Sequence, residues 1–200
     1  MKTLSFKQIG LFVTLLTVTL FGLNINGNAQ TTLKPQTVKI KLLGTSNVHD
    51  WDMNASAANS EAVFTLGAND KLTAINSLSF TLPAKNLKSE HKAMDNNTYK
   101  ALNTDKNPNI TFVLTSAKVT PASGNNYDVA GHGRLTVAGT TREVNLTATT
   151  TYNPADKSFT VSGSKKMKMT DFKIQPVTAL FGTIKTGDDI TINYNIKYAK

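Results

Sequence analysis

Cysteine is absent from all 200 residues. No disulfide framework, thiolate nucleophile, cysteine metal site or lipid-bearing cysteine can exist, so the chain holds together by its core alone. Acidic residues are scarce, 13 against 22 lysines and arginines, for a net charge of +9. A basic balance raises the question of nucleic acid or an anionic surface. The lysines are scattered along polar strand faces, however, with one cluster at Lys165-Lys166-Met167-Lys168 and no aromatic platform beside it. That cluster reads as a solvated strand face, and no nucleic-acid partner is expected. Enzyme signatures are missing: there is no Gly-x-Ser-x-Gly elbow and no phosphate-cradling glycine loop. Asp188 and Asp189 are adjacent, so in a strand they face opposite ways. The three histidines, His49, His91 and His132, are dispersed without paired ligand spacing. No catalytic residue, metal or cofactor is expected.

The longest apolar run, Ile9 to Leu23, is short for a membrane span and is interrupted by Thr and Gly. Lys2 and Lys7 precede it, and Gly27-Asn28-Ala29 follows as a small-residue cleavage site. This pattern predicts a secretory signal peptide over 1–29, with no stable membrane insertion after cleavage. Residues 30–36 read as a linker closed by Pro35, and 37–200 as one domain. About 170 residues are enough to bury a core without staples.

The most informative stretch is Tyr127–Tyr152. Tyr127, Val129, Leu135 and Val137 share one parity; Asp128, His132, Arg134 and Thr136 take the other. Val144, Leu146 and Ala148 alternate with polar residues on the way out. Alternation of this kind marks two half-buried antiparallel strands, with Gly139-Thr140-Thr141 as the expected turn. Gly131 and Gly133 fall on the apolar parity, where glycine marks a bend or a close approach.

The same period recurs along the chain. Val38, Ile40 and Leu42 begin it, and a phase slip at His49-Asp50 predicts a bulge or corner before Trp51 and Met53. Ala62-Phe64-Leu66, Leu78-Phe80-Leu82 and Ile110-Phe112-Leu114 follow. Phe159-Val161-Gly163-Met167-Met169 and Ile190-Ile192-Tyr194-Ile196-Tyr198 complete the series. Only residues 84–108 break it. There Met94, Thr98, Ala101 and Leu102 lie near helical spacing. About eight one-sided sequential strands predict an all-β fold, an extended antiparallel eight-stranded β-barrel with a short helical insertion. Closure removes the edges that invite aggregation, and a barrel of this size has room for one small ligand.

Four segments carry a likeness. They are Gly44-Thr-Ser-Asn-Val-His-Asp-Trp51; Met94-Asp95 with Ala101-Leu102 and Asn107-Pro-Asn-Ile-Thr-Phe112; Val129 to Arg142; and Met169-Thr-Asp-Phe-Lys-Ile174 with Thr186-Gly-Asp-Asp-Ile-Thr-Ile192. In this order the chain resembles the YceI-like family of exported bacterial proteins. The resemblance implies a lipocalin-like barrel that in some members holds a polyisoprenoid chain. It departs from the family pattern at Met169 to Lys173, where an Arg and a Gly are missing, so a head-group contact there does not carry over.

The expected function is therefore an exported, soluble, periplasmic or secreted binding protein that sequesters an apolar small molecule, isoprenoid or other lipid. It is not expected to be an enzyme; a homodimer is left open. Phe80, Phe112, Leu135, Val137, Val144, Leu146, Phe159, Val161, Ile192 and Tyr194 are expected to line the cavity. His49, Trp51, His91, Met94 and Asp95 are expected at its rim. The rival reading is a barrel filled by its own side chains, working as a structural or interaction module of the cell envelope through the 84–108 insertion.

Overall fold

The structure is a computed structural model that describes residues 29–200. The expected signal peptide lies outside the described residues, apart from Ala29. Ten strands run in chain order: β1 (Ala29–Ser46), β2 (Trp51–Ala55), β3 (Asn59–Leu66), β4 (Leu72–Pro83), β5 (Asn109–Pro121), β6 (Asn126–Val137), β7 (Thr140–Asn153), β8 (Ser158–Lys168), β9 (Thr178–Ala179) and β10 (Ile184–Ala199). One α-helix, α1 (Lys92–Ala101), lies between β4 and β5. Every strand pairing is antiparallel, and β1 pairs with β10. That contact closes β1-β3-β4-β5-β6-β7-β8-β10 into an eight-stranded barrel, as the alternation predicts.

Closure depends on residues that were expected to be a linker. Residues 30–36 belong to β1, whose first part pairs with β3 from Ala29↔Leu66 to Leu33↔Ala62. Leu33 is 1% exposed. The register then shifts between Pro35 and Thr37. The extra residue inverts the alternation, so Thr31 and Leu33 point inward before it and Val38 and Ile40 after it. Further along, β1 meets β2 from Ile40↔Ala55 to Gly44↔Trp51. The slip at His49-Asp50 is thus the reversal of a hairpin, held by a Ser46 hydroxyl that donates to the His49 carbonyl at 2.8 Å.

The β6–β7 turn is Ala138-Gly139 rather than Gly139-Thr140-Thr141. Val137 pairs with Thr140, and the two turn residues have φ of 48° and 75°. Positive φ at both central positions suits the twist of a two-residue hairpin. Residues 84–108 leave the wall and return beside their own start, since Pro83 pairs with Asn109. The excursion is tied to β2 by an isolated bridge between Asn54 and Lys88.

One end of the barrel is packed solid. Phe64 meets Phe159 edge-on with ring centroids 5.3 Å apart. Tyr152 lies 4.9 Å from Phe159, and Tyr198 lies 6.2 Å from Phe64. Leu33 and Leu72 complete this plug. The phenol tips that reach the boundary are hydrogen-bonded, as buried tyrosines require. Tyr152 donates to Asp70 at 2.8 Å, and the Tyr127 oxygen accepts from the Leu72 N–H at 3.2 Å.

Candidate lipid cavity

Beyond this plug the barrel is hollow. The cavity has a volume of about 730 Å³, within the usual range for small-molecule sites. Its walls are the inward rows of the strands. Val144, Leu146 and Ala148 come from β7, Leu135 and Val137 from β6, and Phe112 and Ile110 from β5. The floor is Tyr198, fully buried, whose hydroxyl shares a 2.8 Å hydrogen bond with Ser60.

Glycines keep the space open by letting aromatic rings approach the wall closely. A Cβ on Gly133 would stand 2.6 Å from the Phe112 ring. A Cβ on Gly163 would collide with the Tyr194 ring, and one on Gly44 with the Trp51 ring. In each case the ring comes from a neighbouring strand and covers backbone that a side chain would otherwise fill. The rings are also fixed by their polar ends. Trp51 Nε1–H donates to the Thr45 carbonyl at 2.9 Å, and the Tyr194 hydroxyl donates to the Thr147 carbonyl at 2.9 Å. Burial pushes the Tyr194 phenol up, so it remains a neutral donor at neutral pH.

The structure brings together nine of the ten expected wall residues: Phe80, Phe112, Leu135, Val137, Val144, Leu146, Val161, Ile192 and Tyr194 all line the cavity. Phe159 does not. It faces inward, but at the depth of the plug, and is 1% exposed. Of the rim residues, His49, Trp51, His91 and Met94 line the cavity. Both histidines are solvent-exposed, so the lumen reaches the surface between the β1–β2 turn and the start of α1. Asp95 is the other correction. It turns away to hold the chain before the helix, accepting from the Ser89 N–H at 2.7 Å and the Ser89 hydroxyl at 2.8 Å. Burial pushes its carboxyl up, but the two Ser89 bonds and the nearby Lys88 outweigh that and hold it below the ordinary range.

Sequence reasoning missed part of the wall. Beyond the expected Met94, the 84–108 segment also contributes Leu87, Thr98, Ala101 and Leu102 to the lining of the lumen. Met53 of β2 lies beneath the helix, accepting from the Thr98 hydroxyl through its sulfur at 3.3 Å. Lys165 also lines the cavity, although its cluster read as a solvated face. The signal was present: it shares parity with Val161, Gly163 and Met167 on β8. His132, by contrast, faces out as its parity predicts, with Nε2 3.1 Å from Glu143 and Nδ1 2.8 Å from the Asn145 side chain.

At the departure from the family pattern, Met169 and Phe172 are buried and line the lumen. Lys173 adopts φ 60°, the left-handed region that favours glycine. Among the described residues, no helix is long and apolar enough to cross a membrane. No group of three potential metal ligands occurs among them either.

A closed antiparallel barrel around an apolar lumen is an architecture with room for a small ligand. Sequence comparison places it more closely: the YceI-like domain matches residues 28–198, and the chain belongs to that family. No curated protein matches it. Among solved structures it is similar to BcnA of Burkholderia cenocepacia, with 18% identity and TM-score 0.62, covering 82% of this chain and 96% of that one. It is also similar to a polyisoprenoid binding domain from Saccharophagus degradans implicated in plant cell wall breakdown, with 8% identity and TM-score 0.63 over 83% and 97% of the two chains. The Campylobacter jejuni YceI protein shares 21% identity at TM-score 0.53, over 70% and 81%. Likeness at these identities speaks to the fold.

Proposed function

We propose that this chain is an exported protein of the bacterial periplasm or exterior that carries a long apolar molecule, a polyisoprenoid or other lipid, inside its barrel. The observation that carries this reading is the hollow, apolar half of the lumen, ending on the tyrosine floor. The described structural relative from Saccharophagus degradans, which is a polyisoprenoid binding domain, supports the same ligand class. Binding rather than chemistry is the reading because what the lumen offers is apolar surface. A ligand that buries about 400 Å² of apolar surface gains roughly 10 kcal/mol before ordering costs.

The rival reading, a barrel filled by its own side chains and acting through residues 84–108, draws less support. Only the plug end is filled, and the segment is part of the container wall. Leu146→Trp tests the choice. An indole in mid-lumen is expected to weaken uptake of a fluorescent prenyl or fatty probe by tenfold or more, as a rough scale for lost apolar burial. The melting temperature should stay near that of the parent. Equal uptake by both proteins would contradict an open interior.

A further inference from the structure

Lys165 is the one lysine or arginine among the described residues that line the lumen. It lies on the inward parity of β8 between Gly163 and Met167, one cross-strand step from Ile192, which in turn faces Leu42. Among the described residues, no aspartate or glutamate lines the cavity. The carboxylates nearest in sequence and pairing are engaged elsewhere. Asp189 pairs with Lys168 at 3.8 Å, Asp188 accepts from the Thr170 hydroxyl at 2.7 Å, and Glu143 meets His132. No ion pair among the described residues includes Lys165. An ammonium beside an apolar space costs free energy unless it meets water or an anion.

The wall is also interrupted here. The β7–β8 ladder runs from Asn153↔Ser158 only as far as Ala148↔Gly163. Past that rung β7 continues through Thr140 and β8 through Lys168 without pairing to each other. Two side chains reach across or beside this seam: Tyr194 to the Thr147 carbonyl, and Arg142, whose Nε–H donates to the Asp171 carbonyl at 2.7 Å. Lys165 is the second residue past the last rung, so it lines the lumen on the stretch of β8 that borders the seam.

We infer that the ligand is an anionic amphiphile, whose carboxylate or phosphate head pairs with Lys165 at the β7–β8 seam while its apolar chain fills the lumen. This rests on the carrier reading above and deepens it by naming the head group. A charge-assisted contact with a matched anion would favour a charged head over a neutral one by roughly tenfold or more.

The test uses two matched pairs, palmitate with hexadecanol and farnesyl phosphate with farnesol, titrated at neutral pH against displacement of a neutral fluorescent probe. The parent protein is expected to prefer the anionic member of at least one pair by about tenfold. The pair that shows it separates a carboxylate from a phosphate head. In Lys165→Met that ratio should fall to near one, and in Lys165→Arg it should persist, which separates charge from fold. Neutral and anionic ligands binding equally to the parent would overturn the head-group assignment while leaving the carrier reading intact. So would an unchanged ratio in Lys165→Met, or loss of both members of a pair in that variant. Failure of all four ligands to bind the parent would overturn the carrier reading itself.

Discussion

At one end of the barrel Phe64, Tyr152, Phe159 and Tyr198 interlock ring against ring; at the other, Phe112, Leu146 and Tyr194 border a space of about 730 Å³. β7, β8 and β10 contribute to both ends, each on a single inward parity. What differs is how the rings are placed. At the plug they project across the axis and fill it. In the hollow half they occupy the space over glycines in neighbouring strands. The plug anchors the fold, and the glycine-backed wall creates room. Stability and binding should therefore separate along the barrel axis.

The largest effect should follow from breaking the plug. Phe159→Ala is expected to cost about 3–5 kcal/mol, because it removes a buried ring and leaves a cavity. Leu146→Ala, facing space that is already empty, should cost about 1 kcal/mol or less, since little packing is lost. Urea unfolding of the two variants gives the comparison, and equal costs would break it. Next in size is Gly163→Ala, which forces Tyr194 off the wall and off the Thr147 carbonyl. Overpacking of this kind costs about 1–3 kcal/mol, and the displaced phenol should reduce lumen volume and probe uptake together.

A smaller and opposite change is expected at Thr150, fully buried beside the plug with no protein hydrogen-bond partner for its hydroxyl. Thr150→Val removes an unsatisfied polar atom at constant shape and should raise stability by about 1 kcal/mol. The smallest effect concerns acid. The Tyr152 hydroxyl bonded to Asp70, helped by Lys157, holds that carboxyl below its ordinary value of 3.8. A depressed folded-state value means the contribution is present above about that pH and is lost as pH falls through the lowered one. Tyr152→Phe should therefore lower stability slightly at neutral pH, and its difference from the parent should shrink as pH falls below about that value, as urea unfolding at the two pH values would show.

Much of this was legible from alternation alone, because a two-residue period says which way each side chain points. It does not say how far along the axis a residue lies. Phe159 shows the limit: its inward direction was readable, its depth in the plug was not. Residues 30–36 show another. The inserted residue at the Pro35–Thr37 register shift inverts the phase, so counting back from Val38 puts Gln36, Lys34 and Thr32 on the inward parity and makes a strand look like a tether. Asp95 was hidden differently, since it turns to the N–H and hydroxyl of Ser89, six residues back in a stretch with no regular period. Lys165 needed no structure to find. Its parity was plain, and the expectation that lysine belongs in water concealed it.

The central question is whether the hollow half holds an apolar molecule. Native mass spectrometry of the chain purified from its own host is the direct test. The account predicts a bound apolar mass that is released by organic extraction and is missing from Leu146→Trp. A parent protein that flies at its bare mass, and takes up no prenyl or fatty chain when these are offered in excess, would contradict it.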